Sequence, residues 1–298
     1  MLQHSNFNNY RQKKKKRKII LAIIIVAVIA VVIALIVKSY SAKQASVEVT
    51  ETPSPTVQTA ADLTTPTAVP TDAEAAPEVT PTAAPDADLL KSVRKSDGVK
   101  TAYLTFDDGP TKSITPQVLD ILRRYNVKAT FFEVGSLIES NPDMARRVYE
   151  EGHLLANHSY AHNYKDLYAT PEAFMAEIEK TYALIQQITC DENYFKLFRF
   201  PGGSYNAGTW GAKKQEYKTL LRDNGFYYCD WNALNGDAEG GKKTADQLVQ
   251  GVITSSKDKE DVVILMHDAA TKQTTVDALP KVIEYLMSQG YEFRRLDQ

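Results

Sequence analysis

The chain has 298 residues, with 35 Lys and Arg against 37 Asp and Glu and a sequence pI near 6.2. That balance hides an asymmetry: eight basic residues and no acid fall in the first 38 positions, so the rest carries 27 basic against 37 acidic residues, a formal charge of −10. A part of that sign excludes nucleic acid as a partner and suits a neutral polymer better than an anionic one.

Residues 1–18 form a basic tail, and residues 19–37, from Ile19 to Val37, are an unbroken apolar run. Nineteen helical residues cover roughly 28 Å, which predicts one membrane-spanning helix, and the basic cluster before it predicts a cytoplasmic N-terminus with everything after it outside. A signal peptide cleaved within Ser39-Tyr40-Ser41-Ala42 is the alternative. Residues 38–96 are rich in Thr, Pro and Ala without apolar periodicity, as expected of a tether that reaches on the order of 170 Å when fully extended.

From residue 97 to 298, β-rich apolar segments alternate with amphipathic ones. Strands are expected near 100–106, 127–134, 153–157, 196–200, 226–231, 261–267 and 291–296, a βα repeat whose periodicity fits a doubly wound sheet or a barrel equally. Helix starts are marked by Asn141-Pro142, Thr170-Pro171 and the capping box Thr244 to Gln247, and helix stops by Gly152, Gly225 and Gly290. Pro280 predicts a helix that begins there or is kinked. Cys190 and Cys229 are the only cysteines. They are expected at opposite ends of the sheet and therefore unpaired and buried.

The residues with chemistry cluster at strand ends. Asp107 and Asp108 precede Gly109-Pro110, a turn that lets two adjacent carboxylates approach one cavity; alone, such a pair is also an ordinary solvated turn. His158 and His162 are four apart, so on a helical turn both rings share a face and with Asp108 form a two-His-one-carboxylate set, the pattern of a catalytic metal site with open positions. Asp230 and His267 end successive expected strands, a spacing that lets Asp230 hydrogen-bond the imidazole, raise its pKa and suit it to general acid work. Trp231 and Leu265 would line a pocket or simply pack in the core. Tyr160, Tyr164, Tyr205 and Trp210 are candidates for stacking on sugar rings, while His153 reads as a packed strand residue and Glu133 has no assigned role.

In order and spacing, the strings Thr105-Phe106-Asp107-Asp108-Gly109-Pro110, His158-Ser159-Tyr160-Ala161-His162, Arg199-Phe200-Pro201-Gly202-Gly203, Asp230-Trp231 and Leu265-Met266-His267 resemble the five motifs of the polysaccharide deacetylase family, the family-4 carbohydrate esterases with a NodB-homology domain. The resemblance covers roughly residues 99–298. It implies an α/β fold, a distorted, incomplete (β/α)7 barrel, and removal of acetyl groups from N- or O-acetylated sugars. It further implies Asp107 as general base, oriented by Arg199; Asp108, His158 and His162 as ligands of a divalent ion; Ser159 as a brace for the histidine loop; Gly202 N–H as oxyanion donor; His267 as general acid; and Pro201, Trp231 and Leu265 as substrate-binding. Zinc suits the ligands first, with cobalt, nickel or manganese as alternatives. One departure stands out, because the family usually carries an aromatic or bulky residue where this chain has Gly202. The tether and outward topology make peptidoglycan N-acetylglucosamine the expected substrate, with N-acetylmuramic acid, chitin oligomers and acetylxylan as competitors and a catalytically silent glycan-binding wall protein as the non-enzymatic alternative. Nothing in the sequence points to an obligate protein partner.

Overall fold

The computed structural model describes residues 86–93, 97–205 and 208–298. The basic tail, the apolar run and nearly all of the tether lie outside the described residues. Among the described residues, no helix is long and apolar enough to cross a membrane. The last part of the expected tether is not free chain: helix α1 (Leu89–Val93) buries Leu90, and Ala87 is buried beside it. The segment pairs with the sheet through a parallel bridge from Asp88 to Tyr228 and a hydrogen bond from Tyr228 N to Ala87 O.

The remaining elements follow in chain order: β1 (Thr101–Asp107), α2 (Thr115–Tyr125), β2 (Thr130–Glu133), α3 (Gly135–Ser140), α4 (Pro142–Glu150), β3 (Leu154–Asn157), α5 (Tyr164–Leu167), α6 (Pro171–Thr189), β4 (Leu197–Phe198), α7 (Gly211–Asp223), β5 (Tyr227–Tyr228), β6 (Ala233–Leu234), α8 (Ala245–Ser256), β7 (Asp261–His267), α9 (Gln273–Ser288) and β8 (Glu292–Phe293). Thr170 caps α6 through its side chain, and Thr244 with Gln247 forms the expected capping box of α8. The helix carrying Pro280 neither starts nor stops there. It begins at Gln273 and runs through the proline, which leaves the carbonyl four residues earlier without its usual donor.

All strand pairs are parallel, and the path reads β5-β4-β3-β2-β1-β7-β6, with β8 joining the N-terminal end of β1. β1 shows why its sequence reads as continuously apolar. Ala102, Leu104 and Phe106 join the core under the helices, while Tyr103 belongs to the interior cluster with Phe132, Leu197 and Val263. By alternation Thr105 and Asp107 follow Tyr103 onto that interior face.

Among the described residues eight strands form where seven were expected: of residues 226–231 only Tyr227–Tyr228 are strand, and a further short strand, Ala233–Leu234, follows beyond them. The chain leaves the sheet after Tyr228 and re-enters as β6 on the opposite edge. Only Cys229 to Asn232 join those two edges, a span of at most about 17 Å. The sheet must therefore curl, and covalent chain rather than a ladder closes the ring. Asn232 fastens the link to β7, donating from its N–H to Val263 O and accepting from Val263 N. Both cysteines are free thiols as expected, although Cys190 is exposed rather than buried.

Candidate metal centre and active site

The site is built on the C-terminal ends of the strands, starting at β1. Asp107 is buried at the strand's last position, directly beside His267 in the β1–β7 register. Asp108 adopts a left-handed backbone with φ of 75°, which breaks the alternation and turns its carboxylate to the same cavity. Below the turn there is no room for a side chain at Gly109: a Cβ there would run into the carboxylates of Glu133 and Asp268.

His158 and His162 do not lie on a helical turn. They follow β3 in a loop whose shape depends on left-handed φ values at Ser159 (66°) and His162 (52°). Ser159 braces this loop, its Oγ accepting from His162 N at 3.1 Å and its N donating to Asn157 Oδ1. The His158 Nδ1 faces Arg199 O at 2.9 Å, and a carbonyl only accepts, so Nδ1 carries the hydrogen and the Nε2 lone pair points to Asp108. Burial drives the His158 pKa down to about 3, so the ring is neutral and available as a ligand. Asp108 Oδ1 lies 3.6 Å from His158 Nε2 and 3.2 Å from His162 Nε2, and the three ligand atoms fall within 4.8 Å of one another. That oxygen is buried and makes no hydrogen bond. Two imidazole nitrogens converging on an orphaned carboxylate oxygen fit a divalent ion of the borderline class, with cavity on the open side.

Arg199 is fully buried. Its Nε donates to Cys229 O, one terminal nitrogen to Thr105 Oγ1 and to Asp107 Oδ1 at 2.8 Å, and the other to Asp230 O. Its guanidinium also lies 3.9 Å over the Phe132 ring. Burial is the largest influence on the Asp107 pKa and raises it, against the opposing charges of Arg199 and His267.

His267 is not partnered by Asp230. Its Nδ1 donates to Asp237 Oδ1 at 2.7 Å and its backbone N to Asp237 Oδ2, which Thr275 Oγ1 also reaches. Sheet order explains the correction: Asp230 follows β5 on the far edge, whereas Asp237 follows β6, which pairs with β7 and hence with the strand carrying His267. The Asp230 carboxylate instead accepts from Ser204 N and Oγ, holding the turn after Arg199. Burial alone would lower the His267 pKa. The hydrogen bond and charge of Asp237, aided by Asp107 and Asp108, outweigh it and raise the pKa.

These groups surround a cavity of about 340 Å³ whose lining includes Asp107, Asp108, Gly202, Trp231, Leu265 and His267. Among the described residues the Gly202 N–H has no protein acceptor. Pro201, expected to touch substrate, is buried behind the turn, where its carbonyl accepts from Tyr168 Oη and Lys214 Nζ. Asp237 and Tyr164 also line the cavity, although Asp237 escaped the sequence reading and Tyr164 entered it only as one of four ring candidates. Two more acids lie beneath the site. Glu133 is fully buried with neither oxygen hydrogen-bonded, and burial followed by the charge of Asp268 pushes its pKa well up. Burial raises Asp268 to about 7 although Thr115 Oγ1 donates to it.

Residues 94–220 match the family described as Polysaccharide deacetylase. The chain is 35% identical over 198 residues to a peptidoglycan-N-acetylglucosamine deacetylase of Bacillus cereus, covering 65% of this chain and 68% of that protein. It is 33% identical to the peptidoglycan-N-acetylglucosamine deacetylase PgdA of Listeria monocytogenes, of which it spans 42%. Its fold resembles the crystal structure of the catalytic domain of a peptidoglycan N-acetylglucosamine deacetylase from Eubacterium rectale, with a TM-score of 0.62, 34% identity, and coverage of 67% of this chain and 90% of that one.

Proposed function

Because this chain belongs to the polysaccharide deacetylase family, we propose that it removes acetyl groups from N-acetylglucosamine residues of peptidoglycan, releasing acetate and leaving a free amino sugar. The observation that carries the chemistry is the pairing of Asp107 and His267 side by side in the β1–β7 register, with the Asp108, His158 and His162 donor set beside them. Asp108, His158 and His162 would hold a divalent ion, zinc by preference, which would supply Lewis acidity to the reaction. Asp107 accepts the proton of the attacking water, with Oδ1 fixed by Arg199. The unpartnered Gly202 N–H donates to the oxygen on which negative charge develops. His267, oriented by Asp237 with Nε2 left for the cavity, gives a proton to the departing sugar nitrogen.

The names of the similar proteins and the outward topology expected from residues 1–37 support peptidoglycan as the polymer. On that reading the catalytic domain faces the wall from a single-pass anchor with a cytoplasmic N-terminus. Mass spectrometry of muropeptides after incubation with the zinc-loaded full-length protein should show glucosamine-containing species. Muropeptides left fully acetylated while chitin oligomers or acetylxylan lose acetate would refute the peptidoglycan assignment.

A further inference from the structure

Gly202 lends its backbone N–H to the proposed chemistry, but the Tyr164 ring beside it in the cavity wall has no part in the bond-breaking steps. Gly202 and Gly203 both have left-handed φ, 72° and 77°. A Cβ on Gly202 would come within 3.1 Å of the Tyr164 hydroxyl and 3.2 Å of its Cε1, and one on Gly203 would run into the Tyr205 ring and approach Trp231 to 3.1 Å. The turn is therefore bare backbone overhung by rings, Tyr164 against Gly202 and Tyr205 against Gly203, with Tyr205 edge-on to Trp231 at 5.6 Å. Exposed large hydrophobic side chains among the described residues are Tyr164, Tyr205 and Met287, so two of the three frame this turn.

Tyr164 is fixed in place, on α5 capped by Asn163, with its ring edge-on to His162 at 5.5 Å and 6.0 Å from Tyr168. The residue is 39% exposed, and among the described residues its hydroxyl makes no hydrogen bond. Two other aromatic candidates are engaged elsewhere: Tyr160 donates to Glu139 with Lys180 Nζ 3.4 Å over its ring, and Trp210 packs toward Tyr168 and Lys213.

We propose that Tyr164 is a specificity-determining residue whose exposed ring stacks on the sugar unit adjoining the reacting acetamide, so that the enzyme prefers an oligomer or polymer to a free acetylated monosaccharide. The inference rests on the deacetylase reading. An acetyl carbonyl addressed by the Gly202 N–H and the histidine set must lie between Gly202 and His162, and Tyr164 borders both. Whatever extends from the acetamide on that side meets the Tyr164 ring, and the apolar C–H face of a pyranose is the part of a glycan that gains from such contact.

The test uses the metal-loaded full-length protein on N-acetylglucosamine oligomers of increasing length and on a small acetyl ester with a good leaving group. Wild-type kcat/KM should rise with oligomer length. Tyr164→Ala should lose about tenfold more on a pentamer than on the ester, chiefly in KM. Tyr164→Phe should keep the length preference, and Tyr164→Leu provides the same ratio should the Ala variant not fold. Equal losses on both substrates, or an unchanged length preference in the ring-less variant, overturn the inference alone. A wild type inactive on every acetylated sugar overturns the deacetylase reading, and this inference with it.

Discussion

His267 gains its protonated character chiefly from Asp237, with help from Asp107 and Asp108, and the Asp237 pairing carries the clearest prediction. As the proposed general acid His267 must hold its proton, and Asp237 raises its pKa, so Asp237→Asn should move the alkaline limb of kcat/KM to lower pH. Asp230→Asn should leave that limb in place, because Asp230 touches Ser204 rather than the imidazole. A pH–rate profile of both variants checks the assignment. The proposed metal ligands give the second prediction: with three protein donors converging among the described residues, His158→Ala should weaken divalent-ion binding by at least about tenfold, measured by competition with a chromophoric chelator. At this scale the sequence was informative where residues are contiguous. Asp107-Asp108 and the His158–His162 string could be read as one site, but the partner of His267 depends on which strand lies beside β7, and no local string records that.

At the scale of elements, the start of α2 is tied to the end of β7 through Asp268, which accepts from Thr115 Oγ1 while its backbone carbonyl accepts from Thr111 Oγ1. Its folded pKa of about 7 stands above the ordinary value of 3.8. The folded protein thus keeps a proton that the unfolded chain releases, so this contribution to stability is complete below pH ~4 and is lost as pH rises to ~7. Asp268→Asn, which keeps an acceptor for Thr115, should flatten the pH dependence of the thermal midpoint over that window in chelator-treated protein. An unchanged slope would remove Asp268 from the account. Gly109→Ala should be far more damaging, since its methyl group has only the Glu133 and Asp268 carboxylates to occupy, and circular dichroism melts should show it. Long elements with caps, such as α6 and α8, were legible in the sequence. β6 was not, because two residues, Ala233 and Leu234, carry no period, and an acid such as Glu133 gives no sign in the sequence that it will be buried unpaired.

For the whole molecule, the proposed anchor predicts that protease added to intact cells digests the catalytic domain while a cytoplasmic marker survives. Recovery of a soluble form beginning near Ser41 or Ala42 would replace the anchor with a cleaved signal. A feature inside the barrel also bears on how this chain can change. Arg199 reaches from β4 to β1 through Thr105 and Asp107, and to the chain after β5 through the carbonyls of Cys229 and Asp230. It is a crossbeam as well as the partner of the proposed base. Removing it would take a donor from four buried acceptors at once, and removing Asp107 would leave its cation without the carboxylate, a change that in buried pairs costs about 3–5 kcal/mol. Against a total stability of roughly 5–15 kcal/mol, that is enough to unfold many domains. Decay of the chemistry is thus opposed by the scaffold itself: a descendant of this sequence that abandoned catalysis by losing Asp107 would first have to rebuild the centre of its barrel.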